Sequence, residues 1–82
     1  MFYVYIIYSQ KLNRYYVGHT ADIMIRLTQH NNGLSDYTSK ASDWELVFQE
    51  SFASRELAQN RELEIKKKKS RKYIEWLIST ES

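Results

Sequence analysis

The segment Phe2-Tyr3-Val4-Tyr5-Ile6-Ile7-Tyr8 limits this chain more than any other. It reads as a strand: Phe2, Val4, Ile6 and Tyr8 take one face, Tyr3, Tyr5 and Ile7 the other, and neither face is polar. A strand apolar on both sides needs cover on both sides, which places it in the middle of a sheet between two layers. The run is far short of the ~20 residues that span a bilayer. The N-terminus also lacks the basic segment and small-residue cleavage site of a secretory signal. A cytoplasmic protein with no membrane partner is expected.

The rest of the chain supplies that cover. Ser9 to Arg14 is polar and turn-like, and Tyr15 to His19 is a second short strand, so the two form a hairpin. A four-residue turn from Ser9 to Leu12 would set Tyr5 directly across from Tyr16, with Cβ atoms roughly 5 Å apart. Gly18 leaves room for a close approach by backbone or ligand. Thr20 suits the N-cap of a helix with Asp22 in its first turn, and Ile23, Met24 and Leu27 form its buried stripe. Asn31, Asn32 and Gly33 end it. A polar loop runs from Leu34 to Asp43. Trp44 to Phe52 then alternates as a third strand, with Trp44, Leu46 and Phe48 on one side and Glu45, Val47 and Gln49 on the other. Ser54 caps a second helix carrying Leu57, Ala58 and Ile65, and Ser70 a third with Tyr73, Ile74, Leu77 and Ile78 on one face. The order β-β-α-β-α-α predicts an α+β fold, a three-stranded, mainly antiparallel sheet flanked by helices. With 82 residues and no repeat, linker or proline, one domain over 1–82 is expected.

Cysteine is absent, which excludes disulfide staples and thiolate metal sites. Twelve Lys+Arg against ten Asp+Glu give a formal charge of only +2, so bulk charge says little about a polyanionic partner. Distribution says more. Between Lys66 and Lys72 every residue but Ser70 is basic. Lys66 to Lys69 suit the negative end of the second helix. Arg71 and Lys72 would sit in the first turn of the third, where each positive charge is unfavourable by roughly 0.3–1 kcal/mol unless an anion binds there.

Four polar groups in the first thirty residues can converge where the hairpin meets the first helix. Tyr5 and Tyr16 share a sheet face, and Arg26 and His30, four apart, share a helix face. Val4-Tyr5-Ile6, Tyr16-Val17-Gly18, Arg26 and His30 together resemble the GIY-YIG endonuclease pattern. The run Arg61-Glu62-Leu63-Glu64-Ile65-Lys66 is similar to the segment holding that family's metal-binding glutamate. More narrowly, nearly the whole chain resembles the short, single-domain proteins related to the excinuclease endonuclease domain. Tyr3-Val4-Tyr5 stands for Gly-Ile-Tyr, and Val17 replaces the isoleucine of Tyr-Ile-Gly.

The resemblance implies a metal-dependent endonuclease that hydrolyses DNA phosphodiester bonds, with a role in DNA repair or recombination. Glu62 would hold one Mg²⁺ or Mn²⁺, since carboxylate oxygens suit hard ions that keep several waters. Arg26 would neutralise the phosphate, Tyr16 would take a proton from the attacking water, Tyr5 would hydrogen-bond within the site, and His30 would position a phenol or pass a proton. A phenol brought from its ordinary pKa of ~10 to ~7 needs about 4 kcal/mol of preferential phenolate stabilisation, which only a cation cluster supplies. His19, Lys66, Lys69, Arg71 and Lys72 would contact DNA phosphates without reading sequence, and a partner protein or self-association would direct the module to its target.

Residue by residue, plainer readings stay open. Five of the seven tyrosines lie in the hairpin, where phenol rings are ordinary strand residues. Arg26 and His30 suit a solvated helix and its dipole, and His19 an exposed loop. The choice of Glu62 over Glu64 rests on the resemblance. Two further classes of function remain, a nucleic-acid-binding module of the same fold without catalysis, and a protein-interaction domain whose lysines serve solubility.

Overall fold

The computed structural model describes residues 1–34 and 38–81, so the expected polar loop at Leu34 to Asp43 lies partly outside the described residues. The elements are β1 (Phe2–Ser9), β2 (Arg14–Thr20), α1 (Ile23–Asn31), β3 (Glu45–Phe52), α2 (Arg55–Lys68) and α3 (Arg71–Glu81), the order expected. The three strands form one antiparallel sheet in the order β2-β1-β3.

β1 is central, and both its faces are covered. Val4 and Ile6 pack with Val17 and Phe48 beneath Ala58 and Ile65 of α2 and Leu77 of α3. Tyr5 and Ile7 pack on the opposite side with Ala41 and Trp44, closed by Ile23 and Leu27 of α1. Each aliphatic side chain buried this way contributes about 1.5–3 kcal/mol, so the doubly apolar strand organises both halves of the core.

The hairpin register differs from the expectation by two residues. Ser9 pairs with Arg14, so the turn is Gln10 to Asn13, Tyr5 lies opposite Gly18, and Ile7 lies opposite Tyr16. Asn13 supplies the reason, because it closes the turn at φ 53°, a left-handed conformation that asparagine tolerates. The turn is also tied to the segment before β3. The Ser9 hydroxyl donates to Asp43 Oδ1 at 2.7 Å and accepts from the Leu12 N–H at 3.1 Å, while Lys11 N–H donates to Asp43 Oδ2 at 3.0 Å. A shift of two keeps every side chain on its face, so Tyr5 and Tyr16 still share one.

Other local expectations are corrected in the same way. A bulge in β3 pairs Ile6 with Phe48 but Ile7 with Leu46, leaving Val47 extra. Phe48 therefore points to the α2–α3 layer, while Trp44 and Leu46 point to the α1 layer. Asp22, not Thr20, caps α1, its carboxylate accepting from Ile25 N–H at 3.0 Å. Met24 is 68% exposed and outside the buried stripe, and Leu57 in α2 is 51% exposed. Ser54 and Ser70 act as expected, accepting from the N–H groups of Leu57 and Tyr73.

Candidate active site

Tyr5, on the central strand, points into the α1 layer and is only 2% exposed. Its ring lies over Gly18, where a β-carbon would meet Tyr5 Oη at 2.6 Å, Cζ at 2.8 Å and Tyr16 Cε2 at 3.1 Å. The close approach expected at Gly18 is therefore made by a phenol of the protein itself. Tyr16, two residues along β2, sits diagonal to Tyr5 with ring centroids 6.4 Å apart.

α1 delivers the next two groups. His30 is fully buried. Its Nε2 is 2.8 Å from Tyr5 Oη and its Nδ1 is 2.7 Å from Thr38 Oγ1. Burial, and then the nearby Arg26 guanidinium, push the His30 pKa down to about 4, so the ring is neutral. Burial likewise pushes Tyr5 up to about 12, although the Arg26 guanidinium beside it opposes the rise. Tyr5 thus keeps its proton. Arg26 can only donate, so the phenol oxygen accepts from that side and gives its one O–H to Nε2, and Nδ1–H donates to Thr38. Arg26 is also steadied by Gln29, whose Oε1 accepts from Nη1 at 3.0 Å. The rings of Tyr16 and His30 meet edge-on at 5.0 Å.

Thr38 is not legible as a site residue in the sequence, since it lies in a polar loop without periodicity. Its position is set by tertiary contacts. Its carbonyl accepts from Trp44 Nε1 at 3.0 Å, and Asn31 at the end of α1 grips both the N–H and the C=O of Trp44, at 2.8 and 3.1 Å.

Glu62 reaches the same region from the other layer. Its pairing partner His19 lies opposite Val4, so it faces α2, and Nδ1 is 2.5 Å from Glu62 Oε1. Lys66 Nζ is 2.5 Å from Glu62 Oε2 and 5.8 Å from the Tyr16 ring centre. β2 is an edge strand, and around that edge Lys66 stands between the carboxylate and the Tyr16 ring, while the charge of Glu62 makes a small contribution to the raised pKa of Tyr5. Its side chain is only 12% exposed. Among the described residues no three His, Cys, Asp or Glu side chains form a metal cluster. The carboxylate of Glu62 is the one donor that the described site residues offer a hard cation. His19 and Lys66 engage its two oxygens, so a bound ion would compete with the Lys66 ammonium and take its remaining ligands from water and phosphate.

The expected phosphate contacts divide. His19 is engaged by Glu62. Arg71 donates to Asn13 O at 2.9 Å and to Asn13 Oδ1 at 2.7 Å, pairs with Glu75, and lies 5.1 Å over the Tyr15 ring. The charge that sits badly at the start of α3 thus holds the hairpin turn. Lys66, Lys69 and Lys72 are exposed, Lys69 in the left-handed conformation at φ 48° that ends α2. Between the β2 edge and the junction of α2 with α3 runs a groove of about 630 Å³, which Tyr16 and Lys66 share with the site.

Known proteins resemble this chain over most of its length. The GIY-YIG catalytic domain family matches residues 1–74. A UPF0213 protein of Staphylococcus haemolyticus is 42% identical over 65 residues, covering 78% of this chain and 78% of its own length. A UPF0213 protein of Streptococcus pneumoniae is 38% identical over 64 residues, 77% of this chain and 65% of the relative. The solution NMR structure of a UPF0213 protein from Bacillus halodurans is similar at a TM-score of 0.59 and 34% identity, covering 98% of this chain and 85% of that one.

Proposed function

Because this chain belongs to the GIY-YIG family, we propose that it is a metal-dependent endonuclease module that hydrolyses DNA phosphodiester bonds. The observation that carries the reading is the buried chain Tyr5–His30–Thr38, set beside Tyr16 and Arg26 at the sheet edge that Glu62 reaches from below. A neutral histidine and a protonated tyrosine buried together need a reason, and holding a reactive neighbour in place supplies one.

In this reading the two phenols have different roles. Tyr5 gives its O–H to His30 Nε2 and serves as a positioning group, and Tyr16 is the group that accepts a proton from the attacking water. His30 is too buried and too weakly basic to relay protons to solvent, and it positions Tyr5 instead. Arg26 neutralises the phosphate through its planar fork. Nucleases of this family generally use divalent metal ions. Here Glu62 would hold one, Mg²⁺ or Mn²⁺, whose chemistry when bound is to polarise the phosphate and stabilise the leaving oxygen. His19 orients the carboxylate of Glu62, and Lys66, Lys69 and Lys72 contact phosphates. No helix among the described residues is long and apolar enough to cross a membrane. A cytoplasmic setting, a single domain acting in DNA repair or recombination, and targeting by a partner protein or self-association complete the proposal.

One observation favours a second reading, a nucleic-acid-binding module of the same fold without catalysis. Both carboxylate oxygens of Glu62 already have cationic or imidazole partners. Incubation of branched, flapped, nicked and plain DNA with Mg²⁺ or Mn²⁺ separates the two. The endonuclease reading expects cleavage that Glu62→Ala and Tyr16→Phe abolish while binding persists. Binding without cleavage on every substrate would leave the second reading.

A further inference from the structure

The groove at the β2 edge is unlike a surface that only meets phosphates. It is lined by Val17, Ile65, Ile74, Tyr15 and Tyr16 together with the cationic residues Arg14, Lys66, Lys69 and Arg71, the last of which covers the Tyr15 ring. A patch made for duplex backbone needs cations and no apolar floor. An apolar and aromatic lining together with cations matches the physics of unpaired strands, whose bases leave water against rings while their phosphates are neutralised. The volume, about 630 Å³, is that of a small-molecule site rather than of a duplex about 20 Å wide, and it suits roughly one or two nucleotides. Tyr16 is among the residues that line the groove.

Resting on the endonuclease reading, we propose that this groove takes the unpaired nucleotides adjoining the scissile phosphate, bases against Val17 and Ile74 and phosphates along Arg14 and Lys69. The module then favours nucleic acid that is single-stranded next to the cut over continuous duplex. Lys69 suits this role because its backbone conformation turns the chain sharply between α2 and α3 and leaves its side chain in solvent.

The test is an NMR titration of the full chain without metal, so that nothing is cut, using a tetrathymidylate, a blunt duplex of similar charge, and inorganic phosphate. The methyl resonances of Val17 and Ile74 should move with the tetrathymidylate and stay in place with phosphate and duplex. Arg14→Gln combined with Lys69→Asn, which keeps a residue that tolerates the left-handed conformation, should weaken single-strand binding several-fold. It should also lower the salt slope by about 1.4, two contacts at roughly 0.7 each. Unmoved methyls, or a double variant that binds and responds to salt as the parent does, would overturn the assignment, whatever cleavage Glu62 supports. Methyl shifts and single-strand preference in a protein that cuts no substrate would keep the groove and overturn the endonuclease reading instead.

Discussion

The Tyr5 hydroxyl stands 2.6 Å from where a β-carbon on Gly18 would lie. The glycine of the second strand is thus the seat of the tyrosine of the first, and the two form one feature.

Gly18→Ala should therefore cost about 1–3 kcal/mol, because Tyr5 is buried and hydrogen-bonded to His30 and has nowhere to move. In a Tyr5→Phe background the same change should cost less, since the nearest clashing atom is gone. Urea unfolding of the two single variants and the double variant checks this. Additive costs would show that the hydroxyl is not the cause.

His30 should make the fold acid-sensitive. Its pKa is about 4 in the fold against an ordinary 6.5. Between those values the unfolded chain binds the proton and the fold does not, so stability is full above about pH 6.5 and declines as pH falls toward 4. The loss across that window is about 3 kcal/mol. His30→Gln should be less stable at neutral pH yet lose less on acidification. An equal loss in both proteins would remove His30 as the source.

The two phenols should separate stability from turnover. Tyr5→Phe leaves the buried Nε2 of His30 without its donor, a cost of about 1–3 kcal/mol. Tyr16, half-buried at the edge strand, should lose less stability as Phe. If Tyr16 is the proton acceptor, its variant loses cleavage at nearly unchanged melting temperature. Comparable losses of stability in both variants would contradict the assigned division of labour.

Two adjacent cations should behave differently. Arg71→Ala removes the bonds that hold Asn13, so amides of the 10–13 turn should exchange faster. Lys72→Ala should leave that exchange unchanged and reduce only the salt dependence of DNA binding. Hydrogen exchange followed by NMR reads the first, and binding at several salt concentrations the second. Turn amides indifferent to Arg71→Ala would return Arg71 to the phosphate-contact set.

The limits of sequence reading show in particular residues. The hairpin, the face shared by Tyr5 and Tyr16, and the caps Ser54 and Ser70 follow from periodicity and local side-chain bonding. The register does not, because a polar stretch such as Ser9 to Arg14 admits more than one turn, and the left-handed preference of Asn13 is the only local signal of the right one. Phe48 changes layers because a bulge interrupts strict alternation without leaving a mark in it. Arg71 reads as a phosphate contact on dipole grounds, but a turn 58 residues earlier claims it.

By itself the sequence determined the kinds of element, their order and the side chains available, because hydrophobic period and capping act over a few neighbouring residues. Tertiary structure decided which groups became a site: that Tyr5 rests on Gly18, that Thr38 orients His30, and that Glu62 meets His19 and Lys66 around the edge of β2. Those contacts join residues 8 to 43 positions apart, apart from the Glu62–Lys66 turn of one helix, and their geometry exists only once both faces of β1 are covered.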